Sequence, residues 1–158
     1  MKFDSDIPSS NSNCTPSTND LEHEIKTATD IEDYLIKNKT YMLAHNLSDH
    51  LNMLLIHKGI SRADVARDSL LHRTYIYQIF SGKKTASRDK LIAIAFGMHL
   101  SAEETQTMLH LSGNRKLYVK DKRDAILLFA LNQHKPIMEA NELLFNHHLD
   151  VLDTSKDR

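Results

Sequence analysis

Apolar residues recur at intervals of three and four positions along most of the chain, which is the spacing of one face of an α-helix. From residue 47 onward, for example, Leu51, Leu54 and Leu55 fall on one side, and Gly59 follows as a C-terminal stop. Only four glycines and three prolines interrupt the 158 residues. Because sheets need frequent turn residues, the pattern predicts an all-α protein.

Polar residues mark where the predicted helices begin. A Ser or Asp side chain accepts a hydrogen bond from an amide of the first turn, and an acidic residue three positions later completes a capping box. Proline is also tolerated at a helix start, because the first amides have no partner within the helix. The predicted starts are Asp30, Ser48, Ser61 with Asp64, Ser87, Ser101 with Glu104, and Pro136.

Changes in composition divide the chain into four predicted regions. Residues 1–29 are polar and acidic with few apolar anchors, so we expect a disordered tail. Residues 30–46 form a short helix and a linker. Residues 47–113 contain five helical segments, and Gly113 ends the last of them. Residues 114–158 form a helical hairpin that either packs on the core or serves in dimerisation.

The last four predicted helices contain an internal echo. Two interpretations of it are open: a duplicated hairpin that stacks against the first copy, or the shared patterning of any two amphipathic helix pairs. The positions related by a shift of 35 residues include Arg88 and Arg123, Asp89 and Asp124, Leu91 and Ile126, Ile94 and Phe129, Ala95 and Ala130, His99 and His134, Ser101 and Pro136, Glu104 and Glu139, and Leu109 and Leu144.

The charge of the chain is distributed unevenly. The net charge is −1, but residues 47–99 hold eight Lys and Arg against four Asp and Glu, a balance of +4. Residues 1–46 hold four against eight, and residues 100–158 hold eight against nine. The positive charge therefore lies in the middle segment, although the excess is modest for a protein that binds by charge alone.

Several functional classes lack support in the sequence. The single cysteine, Cys14, provides no disulfide framework, the N-terminus lacks a signal-peptide core, and no apolar run is long enough to span a membrane. We therefore expect a cytoplasmic protein without a membrane segment. The ten histidines include no pair at the i,i+4 spacing of a helical zinc site, and no phosphate loop or nucleophile elbow occurs. We expect no enzyme activity, no catalytic or metal-binding residues and no cofactor.

Residues 61–87, SRADVARDSLLHRTYIYQIFSGKKTAS, resemble the helix-turn-helix of the phage-repressor-like (XRE-type, lambda-repressor-like) family. The resemblance lies in the polar start at Ser61, Ala66 at the packing position, a short turn, a second helix over about 72–80, and Ser81-Gly82-Lys83 after it. It implies a five-helix DNA-binding domain over roughly residues 47–112, here followed by the C-terminal hairpin. The partner that it implies is double-stranded DNA.

Four residues depart from the family pattern. Leu70 stands where the turn usually has glycine, so either the left-handed conformation is strained or the turn differs. His72 replaces the usual small N-cap, and Ala86 replaces a common proline. Phe80 replaces a common acidic residue, which indicates an apolar contact with another part of the chain or with a partner.

The resemblance also implies which residues touch DNA. A major groove admits one α-helix, whose outward residues reach the base edges. If Ile76 and Ile79 face the core, the outward candidates for base contact are Arg73, Thr74, Tyr77 and Gln78. The candidates for phosphate contact are Arg62, Tyr75, Ser81, Lys83 and Lys84. The function implied is sequence-specific DNA binding by a transcriptional regulator.

Other interpretations of these residues stay open. Tyr75 and Tyr77 also fit half-buried positions against the N-terminal helix, and the two lysines fit a solvated turn. Arg88 fits a structural ion pair with Asp89 or Asp64 rather than a phosphate contact. The whole domain also fits a module that keeps the fold but binds a protein partner. Useful specificity usually needs a dimer on two half-sites. A homodimer through the C-terminal helices would use the apolar faces of Ile126, Phe129, Ala130, Leu143, Leu144 and Phe145.

Overall fold

The computed structural model describes residues 16–39 and 46–154, and these residues fall into two compact units. In the described ranges every regular element is an α-helix, so the prediction of an all-α protein is confirmed. The helices are α1 Thr18–Thr27, α2 Ile31–Lys37, α3 Leu47–Lys58, α4 Arg62–Ser69, α5 Arg73–Phe80, α6 Arg88–Gly97, α7 Ala102–Leu111, α8 Lys122–Asn132 and α9 Ile137–Asn146.

The first unit is a pair of short helices. Helix α1 lies within residues 1–29, where we expected disorder. Its start is held by a capping box, in which the Ser17 hydroxyl accepts from the amide of Asp20 and the Asp20 carboxylate accepts from the amide of Ser17. Asp30 caps α2 as predicted. Neither helix has a buried residue, which fits the scarcity of apolar anchors. Residues 1–15 of the predicted tail, with Cys14, lie outside the described residues.

The second unit is built around α6. The residues of this helix from Lys90 to Gly97 are all buried, with α4 and α7 among the helices packed against it. The predicted inward residues of α3, Leu51, Leu54 and Leu55, belong to the same core. One consequence is a close helix contact: a Cβ atom added to Gly97 would lie 2.7 Å from the carbonyl oxygen of Val65.

Most helix starts agree with the sequence prediction. The capping boxes of Ser61 with Asp64 and of Ser101 with Glu104 are both present, and Ser87 caps α6. The prediction for α3 was wrong by two residues, because Asn46 rather than Ser48 accepts from the amide of Asp49. The Ser48 hydroxyl instead donates to the Asn46 side chain at 2.9 Å.

The C-terminal helices form the predicted hairpin, in which α8 packs against α9. Its apolar residues divide into two groups. Ala130 and Leu144 are buried in the common core, and Ile126 packs partly against it. Phe129 and Phe145 remain exposed. Packing on the core therefore accounts for only part of the apolar surface that the sequence predicts.

The internal echo corresponds to a structural relation between the two hairpins. Arg88 pairs with Asp124, and Arg123 pairs with Asp89, each with a nitrogen–oxygen distance of 2.9 Å. The prediction of a structural ion pair for Arg88 is confirmed, but the predicted partners, Asp89 or Asp64, were wrong, because the partner is Asp124 of the second hairpin. Burial alone would raise the pKa of Asp124, but hydrogen bonds from Arg88 and from the amide of Tyr118 outweigh burial and lower it.

Candidate nucleic-acid interface

Helix α5 presents one buried and one exposed side. Ile76 and Ile79 are buried in the core, as predicted. Arg73, Thr74 and Tyr77 are exposed and Gln78 is partly exposed. The four candidates for base contact therefore lie on the accessible side of a single short helix.

The turn before α5 keeps a left-handed residue. Leu70 has φ 62° and ψ 15°, so this residue takes the left-handed conformation that glycine usually supplies in the family. His72 caps α5 through its ring, since Nδ1 accepts from the amide of Thr74 at 3.2 Å. Leu70 thus supplies a left-handed residue and His72 supplies a helix cap, although neither is the residue usual in the family.

Two arginines lie close to the aromatic ring of Tyr77. The guanidinium carbons of Arg62 and Arg73 each lie 5.5 Å from the ring centroid, within the range of cation–π attraction. Arg73 also donates to the Tyr77 hydroxyl at 3.3 Å. Arg62 is the first residue of α4 and Arg73 is the first residue of α5. The Tyr77 ring therefore contacts both guanidinium groups, one from the start of α4 and one from the start of α5.

Asn52 joins three helices at this surface, and sequence reasoning missed it. Its amide donates to the carbonyl of Phe80 at 2.7 Å and to that of Ser48 at 2.8 Å, while its side-chain oxygen accepts from Arg62 at 3.3 Å. It thereby fixes the end of α5 against α3 and orients Arg62. The only signal in the sequence is a polar residue between apolar ones in α3.

The segment after α5 is a tight turn with two exposed lysines. Gly82 has φ 78°, and the amide of Lys83 donates to the carbonyl of Gln78 at 2.9 Å. Ser81, Lys83 and Lys84 are all exposed. Within the described residues, no ion pair is formed by Arg62, Arg73, Lys83 or Lys84, whereas Lys58, Arg67 and Arg88 are each paired with an acid.

Tyr75 and Phe80 are both buried, which bears differently on their predicted contacts. Tyr75 is only 8% exposed, with the ammonium nitrogen of Lys90 4.8 Å from its ring centroid. The prediction of phosphate contact by Tyr75 fails on this burial, because the neighbouring Ile76 and Ile79 turn this side of α5 towards the core. Phe80 is 1% exposed, so its apolar contact is with the core of its own chain.

No metal site or membrane span occurs in the part of the chain that the structure describes. Its His, Cys, Asp and Glu side chains form no group of three or more that could hold a metal ion. None of its helices has both the length and the apolar character needed to cross a bilayer.

Comparison with known proteins identifies the family of the domain. A family model described as helix-turn-helix matches residues 51–109, which run from α3 into α7. Neither the curated proteins nor the solved structures gave a match. The matched region contains the two packed helices, the intervening turn and the exposed face of α5. The domain formed by α3–α7 belongs to the phage-repressor-like helix-turn-helix family, a family of DNA-binding domains.

Proposed function

We propose that the protein binds double-stranded DNA sequence-specifically, with α5 in the major groove. We further propose that it is a cytoplasmic protein that regulates transcription. The observation that carries the proposal is a group of four cations around the exposed face of α5, none of which forms an ion pair with a described acidic residue. Arg62 and Arg73 lie beside this face, and Lys83 and Lys84 follow the helix. A surface that carries four such charges attracts a phosphate backbone.

Each residue has a role in this proposal. Arg73 suits the two acceptors of guanine, Gln78 suits adenine, and Thr74 suits a thymine methyl group. Tyr77 keeps the two arginines in place before DNA arrives, which reduces the entropy lost on binding. Arg62, Ser81, Lys83 and Lys84 contact phosphate and set the position of α5 in the groove.

The alternative is a module of the same fold that binds a protein. Apolar contacts from Phe80 and Tyr75 would favour it, but both residues are buried. The exposed face that remains on α5 carries an arginine, a threonine, a tyrosine and an amide. These side chains suit base edges better than an apolar protein surface.

The test combines selection from random duplexes with salt-dependent binding. We expect Arg73→Ala to relax the preference at one base pair, at a cost of about 1–3 kcal/mol for the preferred sequence. The double variant Lys83→Ala/Lys84→Ala should weaken binding to all sequences. It should also reduce the slope of log affinity against log salt by about 2.

Arg67→Ala is the matched control. Arg67 is an exposed arginine of α4, paired with Asp64 and Asp68. Its loss should leave both the base preference and the salt slope unchanged. Absence of duplex binding at low salt, or equal effects of Arg67→Ala and Arg73→Ala, would reject the proposal.

A further inference from the structure

The hairpins α6–α7 and α8–α9 contact each other reciprocally. Arg88 of the first binds Asp124 of the second, and Arg123 of the second binds Asp89 of the first. Arg123 is the counterpart of Arg88 at the 35-residue shift, and Asp124 is the counterpart of Asp89. A pair of contacts in which each partner uses the same residue is the mark of a two-fold relation.

The segments after each hairpin repeat the same hydrogen bonds. Arg88 Nε donates to the carbonyl of Arg115 at 2.8 Å, and Arg123 Nε donates to that of Asp150 at 2.9 Å. The side-chain oxygen of Gln106 accepts from the amide of Leu117, and that of Asn141 accepts from the amide of Leu152. All of these donors and acceptors are related by the shift of 35.

The backbone turns repeat as well. His99 and His134 both take the left-handed conformation, with φ 55° and φ 52°. Gly113 and His148 do the same at the ends of the two hairpins, with φ 76° and φ 59°. The packing is also reciprocal, since α6 packs against α9 and α8 packs against α7. Amphipathic patterning alone does not produce matching side-chain bonds and turns at one constant shift.

Each hairpin has an inner face that is buried against the other hairpin, but the outer face is buried only in the first hairpin. Ile92, Ala95 and Phe96 are buried, and so are their counterparts Leu127, Ala130 and Leu131. Ile94, Gly97 and Met98 are also buried, in the helix that packs against α4. Their counterparts are exposed: Phe129 is 51% exposed, and Asn132 and Gln133 are polar. The second hairpin therefore has a buried inner face like that of the first, but much of its outer face is exposed to solvent.

We infer that α8–α9 is an internal copy of α6–α7 and takes, within one chain, the place of a two-fold-related subunit. The inner face that a second copy would need is already filled. A second copy therefore has no free inner face on which to pair, and the chain acts as a monomer with one recognition helix. If the proposed function holds, on which this step rests, the chain binds a single unrepeated DNA site. A homodimer through the C-terminal helices would instead bind two half-sites.

The first test is the mass of the full-length protein in solution. Light scattering over a wide range of concentration should give the mass of one chain, 18.1 kDa. A mass of two chains would overturn the inference, whether the dimer exchanges hairpins or associates through the exposed Phe129, Met138 and Phe145. This measurement involves no DNA, so its result is independent of the proposed function.

The second test is stoichiometry on DNA. A duplex with one selected site should bind one chain, and a duplex with two sites one helical turn apart should bind two chains with no gain in affinity per site. Cooperative binding as a pair on a two-fold repeat would overturn the inference. A monomer that binds no duplex would leave the internal copy standing and reject the proposed function.

Charge exchange tests the two-fold contact itself. Asp89→Arg and Arg123→Asp should each lower the midpoint of urea unfolding, because each places like charges together. The double variant rebuilds the pair in the opposite order and should recover part of the loss. Losses that simply add in the double variant would show that this pair does not hold the hairpins together.

Discussion

Leu70 adopts a conformation that a branched side chain rarely takes. Its φ is 62°, and its side chain is 47% exposed, so packing offers little compensation. The left-handed region costs an L-residue about 1–2 kcal/mol. Glycine removes that cost but adds conformational freedom to the unfolded chain, which offsets part of the gain.

We therefore expect Leu70→Gly to raise the free energy of unfolding by about 0.5–1 kcal/mol. Urea denaturation at neutral pH measures the change. Leu70→Ala is the matched control, because it shortens the side chain but keeps the strained backbone, and it should not stabilise. A glycine variant less stable than the alanine variant would contradict the argument.

His50 is a second residue whose surroundings have a measurable consequence. This residue is 6% exposed, and neither of its ring nitrogens has a hydrogen-bond partner among the described residues. Burial lowers the pKa of His50, while the charge of Glu104 acts in the opposite direction. The folded protein thus binds a proton at this site less readily than the unfolded chain does.

The sign of the pH dependence follows from this difference. As pH falls below about 6.5, the unfolded chain takes up the proton first, and the free energy of unfolding decreases until the folded site is also protonated. We expect His50→Leu to flatten this part of the stability profile. His57→Leu, at an exposed position of the same helix, should retain the wild-type slope. Equal slopes in wild type and His50→Leu would count against the assignment.

The close packing of helix α6 on helix α4 predicts that a larger residue at their contact destabilises the fold. An added Cβ at Gly97 would lie 2.7 Å from the Val65 carbonyl oxygen and 2.8 Å from the Ser69 Cβ. Gly97→Ala should therefore lower the free energy of unfolding by about 1–3 kcal/mol through overpacking. Thermal unfolding measures it. The sign is diagnostic, because alanine in a helix otherwise stabilises by about 1 kcal/mol relative to glycine.

The sequence predicted the helices well because their signals are local. Capping residues such as Ser61 and Ser101 bond to amides within three positions, so their spacing is visible in one dimension. Helix α1 was missed because its short capping box lies in a polar segment without apolar periodicity. The start of α3 was misplaced because Asn46 and Ser48 are both good caps, and only the folded backbone selects one of them.

At the scale of the whole molecule, the paired hairpins concentrate charge in a partly buried position. The Asp124 side chain is 2% exposed and that of Asp89 is 24% exposed, although the two are related by the internal repeat. Removing one member of a buried ion pair leaves the other charge without compensation. The two equivalent pairs therefore differ in what their loss costs.

We expect Asp124→Asn to lower the free energy of unfolding at neutral pH by about 3 kcal/mol, and Asp89→Asn to cost less. Because the pKa of Asp124 is lowered in the folded state, its contribution is present above the ordinary carboxyl pKa near 4 and is lost as pH falls through the folded value. Wild type and Asp124→Asn should converge in acid. A constant difference at every pH would contradict the ion-pair explanation.

Local patterns in the chain predict the helical class, most helix limits, the helix-turn-helix segment and the outward face of α5, because each depends on residues near one another in the chain. Features that depend on distant residues required the folded structure. Folding buried Tyr75 and Phe80, brought Asn52 to Arg62, and placed the Arg62 guanidinium over the ring of Tyr77. The shift of 35 residues was visible in the sequence, but only packing shows that the two copies bind each other.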